Sequence, residues 1–200
     1  MTVFYKLADK LYVNITNRCS CDCIFCIRKN GDSVGDAESL WLEREPSVDE
    51  IKGLFDALDL QNITEIVFCG YGEPLERADA VVEIGGYIKY KTGKIGIPLR
   101  LNTNGLVNLI NPDFDITRLG VFDSVSISLN ADNASEYLRV TRPVFGEGSF
   151  EAMLKFADDL KKCTNVFFTV VDVGDINIEK CRSISEKCGI SLRVRHYEGS

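Results

Sequence analysis

Short β-branched or apolar runs alternate with longer amphipathic stretches along this 200-residue chain, and that alternation constrains the fold more than any other feature. The runs cover residues 10–16, 65–69, 97–102, 124–129, 166–171 and 190–195. Between them, apolar residues recur at helical spacing. Ser47 followed by Glu50 has the form of a capping box, and Val48, Ile51, Leu54, Phe55 and Leu58 then supply one buried face. Val81, Val82, Ile84 and Ile88 mark a second helix, weakened by Gly85-Gly86; residues 150–162 and 178–188 read as two more. Strands separated by helices pair in parallel through right-handed crossovers. The class is therefore α/β. A full eight-unit barrel needs about 250 residues, so six units predict a partial (β/α)6 TIM-like barrel with parallel strands. A flat doubly wound sheet is the alternative. With no Pro/Gly/Ser-rich linker, residues 1–200 are expected to form a single domain.

In either arrangement ligands gather at the C-terminal ends of the strands. The unusual segments all fall there: the cysteine loop from Cys19 to Cys26, Gly70-Tyr71-Gly72-Glu73-Pro74, Asn102-Thr103-Asn104-Gly105 and Ser128-Leu129-Asn130. Their coincidence at one end predicts an active site.

Cysteine is the compositional anomaly, with eight residues, four of them between positions 19 and 26. Secreted disulfide scaffolds are usually shorter and carry a signal sequence. Met1 to Lys6 lacks the basic start and apolar run of such a signal, and no stretch approaches the roughly 18–20 apolar residues of a membrane span. A cytoplasmic protein without a membrane partner is expected. In a reducing compartment, grouped cysteines bind metal or do redox chemistry, whereas Cys69, Cys163, Cys181 and Cys188 are scattered and read as small hydrophobes. The one histidine, His196, argues against a His-rich zinc hydrolase or a Ser-His-Asp triad. A net charge of −7 argues against broad nucleic-acid binding.

The loop contains Cys19-x3-Cys23-x2-Cys26, with Phe25 just before the last cysteine. In spacing and position it resembles the radical S-adenosylmethionine (radical SAM) superfamily. That resemblance implies a [4Fe–4S] cluster held by Cys19, Cys23 and Cys26, with one iron left open. The open iron is chelated by the amino and carboxylate groups of S-adenosylmethionine, whose reductive cleavage yields a 5′-deoxyadenosyl radical. The radical abstracts hydrogen from a substrate, here a small molecule or peptide of unknown identity. An electron donor such as flavodoxin or ferredoxin is implied as partner. Cys21 keeps a second reading open, a non-catalytic module with structural zinc or an iron–sulfur site, although zinc usually takes two separated ligand pairs. Under the cluster reading Cys21 points away from the cube. A thiol-redox role for Cys23-x2-Cys26 finds no thioredoxin-like layout to support it.

Gly70-Tyr71-Gly72-Glu73-Pro74 is similar to the superfamily's Gly-Gly-Glu-Pro motif, with Tyr71 as a departure. The resemblance puts Gly70, Gly72, Glu73 and Pro74 beside the cofactor's amino group, with glycine allowing close approach. It makes Ser128 and Asn130 candidates for the ribose hydroxyls or the methionine carboxylate, strand-end hydrogen bonding being the ordinary alternative. Asn102 and Asn104 are expected to face the cavity, and Gly105 to turn the chain. Arg142 is expected to pair with the cofactor carboxylate. Arg193, Arg195, His196 and Tyr197 end the sixth strand, and alternation puts the two arginines on one face. That face is either the barrel interior, facing an anionic substrate, or a solvated edge. Asn14-Ile15-Thr16-Asn17-Arg18-Cys19 and the short length resemble the small radical enzymes associated with TatD-type nucleases; activating enzymes and 7-carboxy-7-deazaguanine synthases are also compact. No cysteine-rich extension for auxiliary clusters is expected.

Overall fold

The structure, a computed structural model, describes residues 1–174 and 176–196. Its strands are β1 (Phe4–Leu7), β2 (Lys10–Val13), β3 (Glu65–Phe68), β4 (Leu99–Thr103), β5 (Ser124–Ser128), β6 (Asn165–Asp172) and β7 (Ser191–His196). The helices are α1 (Val48–Asp56), α2 (Ala78–Thr92), α3 (Val107–Ile110), α4 (Ala134–Thr141), α5 (Ser149–Leu160) and α6 (Ile178–Cys188). All seven strands form one sheet in chain order; β1 runs antiparallel to β2, and every later pair is parallel. Strand order decides between the two expected architectures. Right-handed crossovers between sequential neighbours lay each helix on the same face, whereas a doubly wound sheet reverses order at a switch point. The fold is an α/β partial barrel of six parallel strands with one added strand at its edge.

That added strand, β1, lies outside the six expected. It pairs through Leu7 and Lys10 across a two-residue turn whose Ala8 has φ +54°. Such turns usually announce themselves with Asn-Gly or Asp-Gly, and Ala8-Asp9 carries no such signature.

The pleat separates core from cavity. On β5, Val125 and Ile127 are fully buried among Phe68, Leu101 and Phe168 under the helices, while Ser124, Ser126 and Ser128 face the other side. Burying one such side chain contributes about 1.5–3 kcal/mol, so a one-residue slip in register would expose the whole apolar set. Near the N-terminal ends of the strands, Glu65 accepts from Nε and Nη2 of the buried Arg100 guanidinium at 2.9 Å each and pairs with Lys10 at 2.9 Å. This charged group occupies the interior face below the cavity-lining residues of the same strands.

Helices are observed where expected at α1, α5 and α6; of the face expected for α1, Ile51 and Phe55 are buried while Leu54 is exposed. At α1 the Ser47 hydroxyl accepts from the Glu50 amide and the Glu50 carboxylate accepts from the Ser47 amide at 2.7 Å. Arg44, with that amide, holds the Glu50 carboxyl down to about 2 from 4.5. A depressed folded pKa adds stability above the unfolded value that is lost as pH falls through the folded one. Thermal midpoints of the wild type should therefore fall between pH 4.5 and 2 more steeply than those of Glu50→Gln; parallel curves would contradict this. In α2, a Cβ on Gly85 would sit 3.2 Å from the Phe122 ring, which explains a glycine inside a helix. Among the described residues, no helix is long and apolar enough to cross a membrane.

Candidate active site

Beyond β2 the chain runs through buried Asn14, Ile15 and Thr16 into the cysteine loop. Its near side is fixed by Glu45, which accepts from Thr16 Oγ1 at 2.5 Å and Arg18 Nε at 2.7 Å. Its far side is stitched to the end of α4: the amides of Asp22 and Ile24 donate to the carbonyls of Thr141 and Val140 at 3.0 and 2.9 Å, and Val144 donates to Ser20 at 2.9 Å. A helix that the sequence reading omits thus supplies the second wall of the loop. Arg142 caps that helix in the left-handed conformation, φ +47°. Its side chain is half exposed and pairs with Asp22 at 3.7 Å, outside the cavity wall. Arg142, expected to pair with a cofactor carboxylate, thus stands outside the residues that line the cavity: the left-handed cap places its guanidinium beside Asp22 of the cysteine loop.

Every other predicted site residue lines one cavity at the C-terminal ends of the strands. Cys19, Cys23, Phe25 and Cys26 border it from the loop after β2, and Gly70, Gly72, Glu73 and Pro74 from the turn after β3. Asn102 and Asn104 come from β4 and its loop, Ser128 and Asn130 from the end of β5. Asn102 Oδ1 is already taken by Arg100 at 2.8 Å. Asn104 braces the site, donating to Ser20 Oγ at 3.2 Å and accepting from the Leu106 amide at 3.0 Å. Asn130 adopts φ +54°, a conformation that asparagine tolerates better than most residues.

The glycines serve the protein more directly than the ligand. Neither Gly70 nor Gly72 has a positive φ. A Cβ on Gly70 would lie 2.6 Å from Asn14 Cγ, and one on Gly72 would lie 2.6 Å from the Arg18 carbonyl oxygen. They let the turn pack against the cysteine loop, where the Glu73 amide donates to Arg18 at 2.8 Å. The Glu73 carboxylate is likewise committed, accepting from Leu75 N at 3.0 Å, Thr103 Oγ1 at 2.7 Å and Asn104 N at 2.7 Å. Burial, with Cys19 nearby, pushes its pKa up to about 8 against those three donors. Glu73 therefore ties the loop after β3 to the loop after β4.

The four grouped cysteines divide by environment. Cys19, Cys23 and Cys26 are half-buried, while Cys21 is buried and bonded through its backbone to the Pro143 segment. Cys21 also borders the cavity, its amide donating to Cys19 Sγ at 3.4 Å, so it does not point away as expected. A hydrogen bond from the Cys21 thiol, assisted by that amide and by Arg28, lowers Cys19 to about 7, favouring the thiolate that ligates metal. Its neighbours Cys19 and Cys23 push the Cys21 thiol far up.

The donor set fits an iron–sulfur cluster with a small-molecule ligand. Three accessible thiols face one cavity, and Ser126 Oγ, 1% exposed on its wall, is a buried side-chain polar atom without a partner among the described residues. Buried hydroxyls are nearly always hydrogen-bonded, so this one fits a ligand group. Thr169, Tyr137 and Cys69 also line the cavity without having been singled out. For Ser126 a signal existed: a hydroxyl at every second position of its strand, Ser124, Ser126 and Ser128, whereas Thr169 shares its face with Phe167 and Val171. Tyr71, a departure in the motif, lines the cavity while its hydroxyl donates to the Gly31 carbonyl at 2.5 Å and its ring meets Trp41 edge-on at 5.1 Å.

A family profile described as the Radical SAM superfamily matches residues 13–186. The chain belongs to the radical SAM superfamily. It is similar to a GTP 3′,8-cyclase of Lactiplantibacillus plantarum, 31% identical over 137 residues, 68% of this chain and 38% of the relative. A GTP 3′,8-cyclase of Rhodococcus opacus is 31% identical over 140 residues, 70% of this chain and 37% of the relative. The chain therefore spans less than two fifths of these curated relatives. Among solved structures, Streptococcus suis SuiB bound to the precursor peptide SuiA has a TM-score of 0.67 at 12% identity, over 94% of this chain and 39% of that one. At that identity the likeness shows the fold, the partial barrel of the superfamily. Radical SAM proteins use a [4Fe–4S] cluster and S-adenosylmethionine. In this radical SAM chain Cys21→Ala retains the amide that faces Cys19, so iron content after reconstitution with excess iron should stay near that of wild type, with affinity lowered about tenfold as for a partner one shell from the metal. A halved iron content would make Cys21 a ligand.

Proposed function

We propose that this chain, read as one radical SAM core domain over residues 1–200, is an enzyme that cleaves S-adenosylmethionine reductively at a [4Fe–4S] cluster. The observation that carries this is the convergence of Cys19, Cys23 and Cys26 with the Gly70–Pro74 turn and the ends of β4 and β5 on one cavity. When bound, the cluster supplies an electron and an open iron, and S-adenosylmethionine supplies the 5′-deoxyadenosyl radical that takes a substrate hydrogen. The chain's own residues hold and orient. Cys19, Cys23 and Cys26 ligate; Phe25 closes the loop against the core. Gly70, Gly72 and Pro74 shape the turn whose backbone faces the cofactor's amino group, and Glu73 locks that turn to the loop bearing Asn104. Ser128, Asn130 and the amide nitrogen of Asn102 offer donors and acceptors for ribose and carboxylate oxygens. Ser126 Oγ, unpartnered among the described residues, takes one of them.

The cluster must be reduced from outside, and an electron donor such as flavodoxin or ferredoxin is the partner we assign. A reducing cytoplasm fits half-exposed cysteines that must stay unoxidised. Metal analysis of protein purified without oxygen tests the reading. It should give about four irons per chain, with a brown colour. A colourless protein with about one zinc would instead support the structural module.

A further inference from the structure

The two arginines of β7 share one face of the strand, yet the structure gives them different surroundings. β7 pairs with β6 in a register that sets Thr169 beside Arg193 and Val171 beside Arg195. Thr169, Val171 and Arg195 line the cavity, so this face is the barrel interior rather than a solvated edge. Arg193, one pleat deeper, lays its guanidinium over the Phe167 ring at 3.5 Å from the centroid, a cation–π contact that holds it in place. Arg195, one pleat nearer the mouth, is exposed and has no carboxylate partner among the described residues. Tyr197, grouped with it in the sequence, lies outside the described residues.

Position along the sheet separates Arg195 from the cofactor end. The cysteine loop follows β2 and the glycine turn follows β3, whereas Arg195 stands on β7, at the opposite edge. Among the described residues lining the cavity it is the one arginine or lysine, and the one carboxyl there, Glu73, is taken up by three donors. A lone guanidinium on a wall of hydroxyls and methyls favours a planar or tetrahedral oxyanion, which its fork of donors matches.

The geometry points to Arg195 as the anchor for an anionic group, carboxylate or phosphate, of the substrate, seated over β6 and β7 and across the cavity from the cluster cysteines. This rests on the radical SAM reading of the cavity. It narrows the substrate class to anionic molecules and makes Arg195 a specificity-determining residue.

The test is calorimetric titration of the anaerobically reconstituted 200-residue chain, cluster oxidised and saturated with S-adenosylmethionine, so that no turnover occurs and the open iron is taken. Inorganic pyrophosphate is the probe in one arm and malonate in the other. At least one should bind, the stronger naming phosphate or carboxylate as the source. Arg195→Gln should weaken it about tenfold, the scale of one charge-assisted contact. Arg195→Lys should retain part of the binding, and Arg193→Gln should change it less than twofold; circular dichroism confirms that each variant folds. Absence of binding by both anions, equal binding by Arg195→Gln, or displacement of the anion by S-adenosylmethionine would overturn the assignment. Release of 5′-deoxyadenosine, measured on the same preparations after dithionite, separates the two readings. Cleavage without an Arg195-dependent anion site overturns this inference alone, and an anion site without cleavage overturns the proposed function alone.

Discussion

Replacing Cys19, Cys23 or Cys26 by alanine should lower iron retention and 5′-deoxyadenosine release by more than about a hundredfold, because partners one shell away already cost 10–100-fold. Stability of the metal-free chain should barely change. The three side chains are half-buried at a cavity rim, where truncation leaves no sealed void and typically costs within about 0.5 kcal/mol. Cys21→Ala should invert the pattern. Its side chain is 5% exposed and packs in the main core cluster, so its loss should cost about 1 kcal/mol of stability while iron binding survives. Denaturant melts of the metal-free variants, set beside their iron content after reconstitution, read both quantities. Four cysteines within eight residues would then fall into three ligands and one packing residue. Equal iron loss in all four variants would return the site to four-cysteine ligation.

Gly72→Ala should destabilise the chain by about 3 kcal/mol, the upper part of the range for forcing a methyl into packed surroundings. The obstacle is backbone. The new Cβ would meet the carbonyls of Thr16 and Arg18, the second at 2.6 Å, and neither moves without shifting Cys19. Iron retention should fall with stability, by about tenfold, since misplaced ligands lose affinity. Gly86→Ala is the control: nothing lies within 4 Å of its Cβ inside α2, and alanine in a helix gains up to about 1 kcal/mol over glycine. Chemical denaturation distinguishes the two. A Gly72→Ala protein as stable as wild type would show that the turn can move away from the loop.

Most of this architecture was legible because its signals are local. Six runs separated by amphipathic stretches admit few topologies, and Ser47 with Glu50 forms the expected box. The motif residues reached one cavity because strand ends in such a fold converge wherever their sequences lie. What escaped depends on distant partners. Helix α4 is eight residues long, too short for a persuasive apolar stripe, although Asn133 as cap and buried Tyr137, Val140 and Thr141 mark it in retrospect. Without that helix, Arg142 looked free to enter the cavity. Gly70 and Gly72 looked shaped for a ligand, while the atoms pressing on them belong to Asn14, Thr16 and Arg18, more than fifty positions earlier. Ser126 differs from Ser124 and Ser128 only in depth, which pairing across β4, β5 and β6 determines.

In the proposed function three cysteines hold a cluster whose remaining iron serves S-adenosylmethionine. The most direct measurement is chromatographic quantification of methionine and 5′-deoxyadenosine after the anaerobically reconstituted chain is mixed with S-adenosylmethionine and dithionite. Wild type and Cys21→Ala should each give both products in equal amounts, and Cys23→Ala should give neither. A fully loaded cluster that leaves S-adenosylmethionine intact would contradict the proposed function.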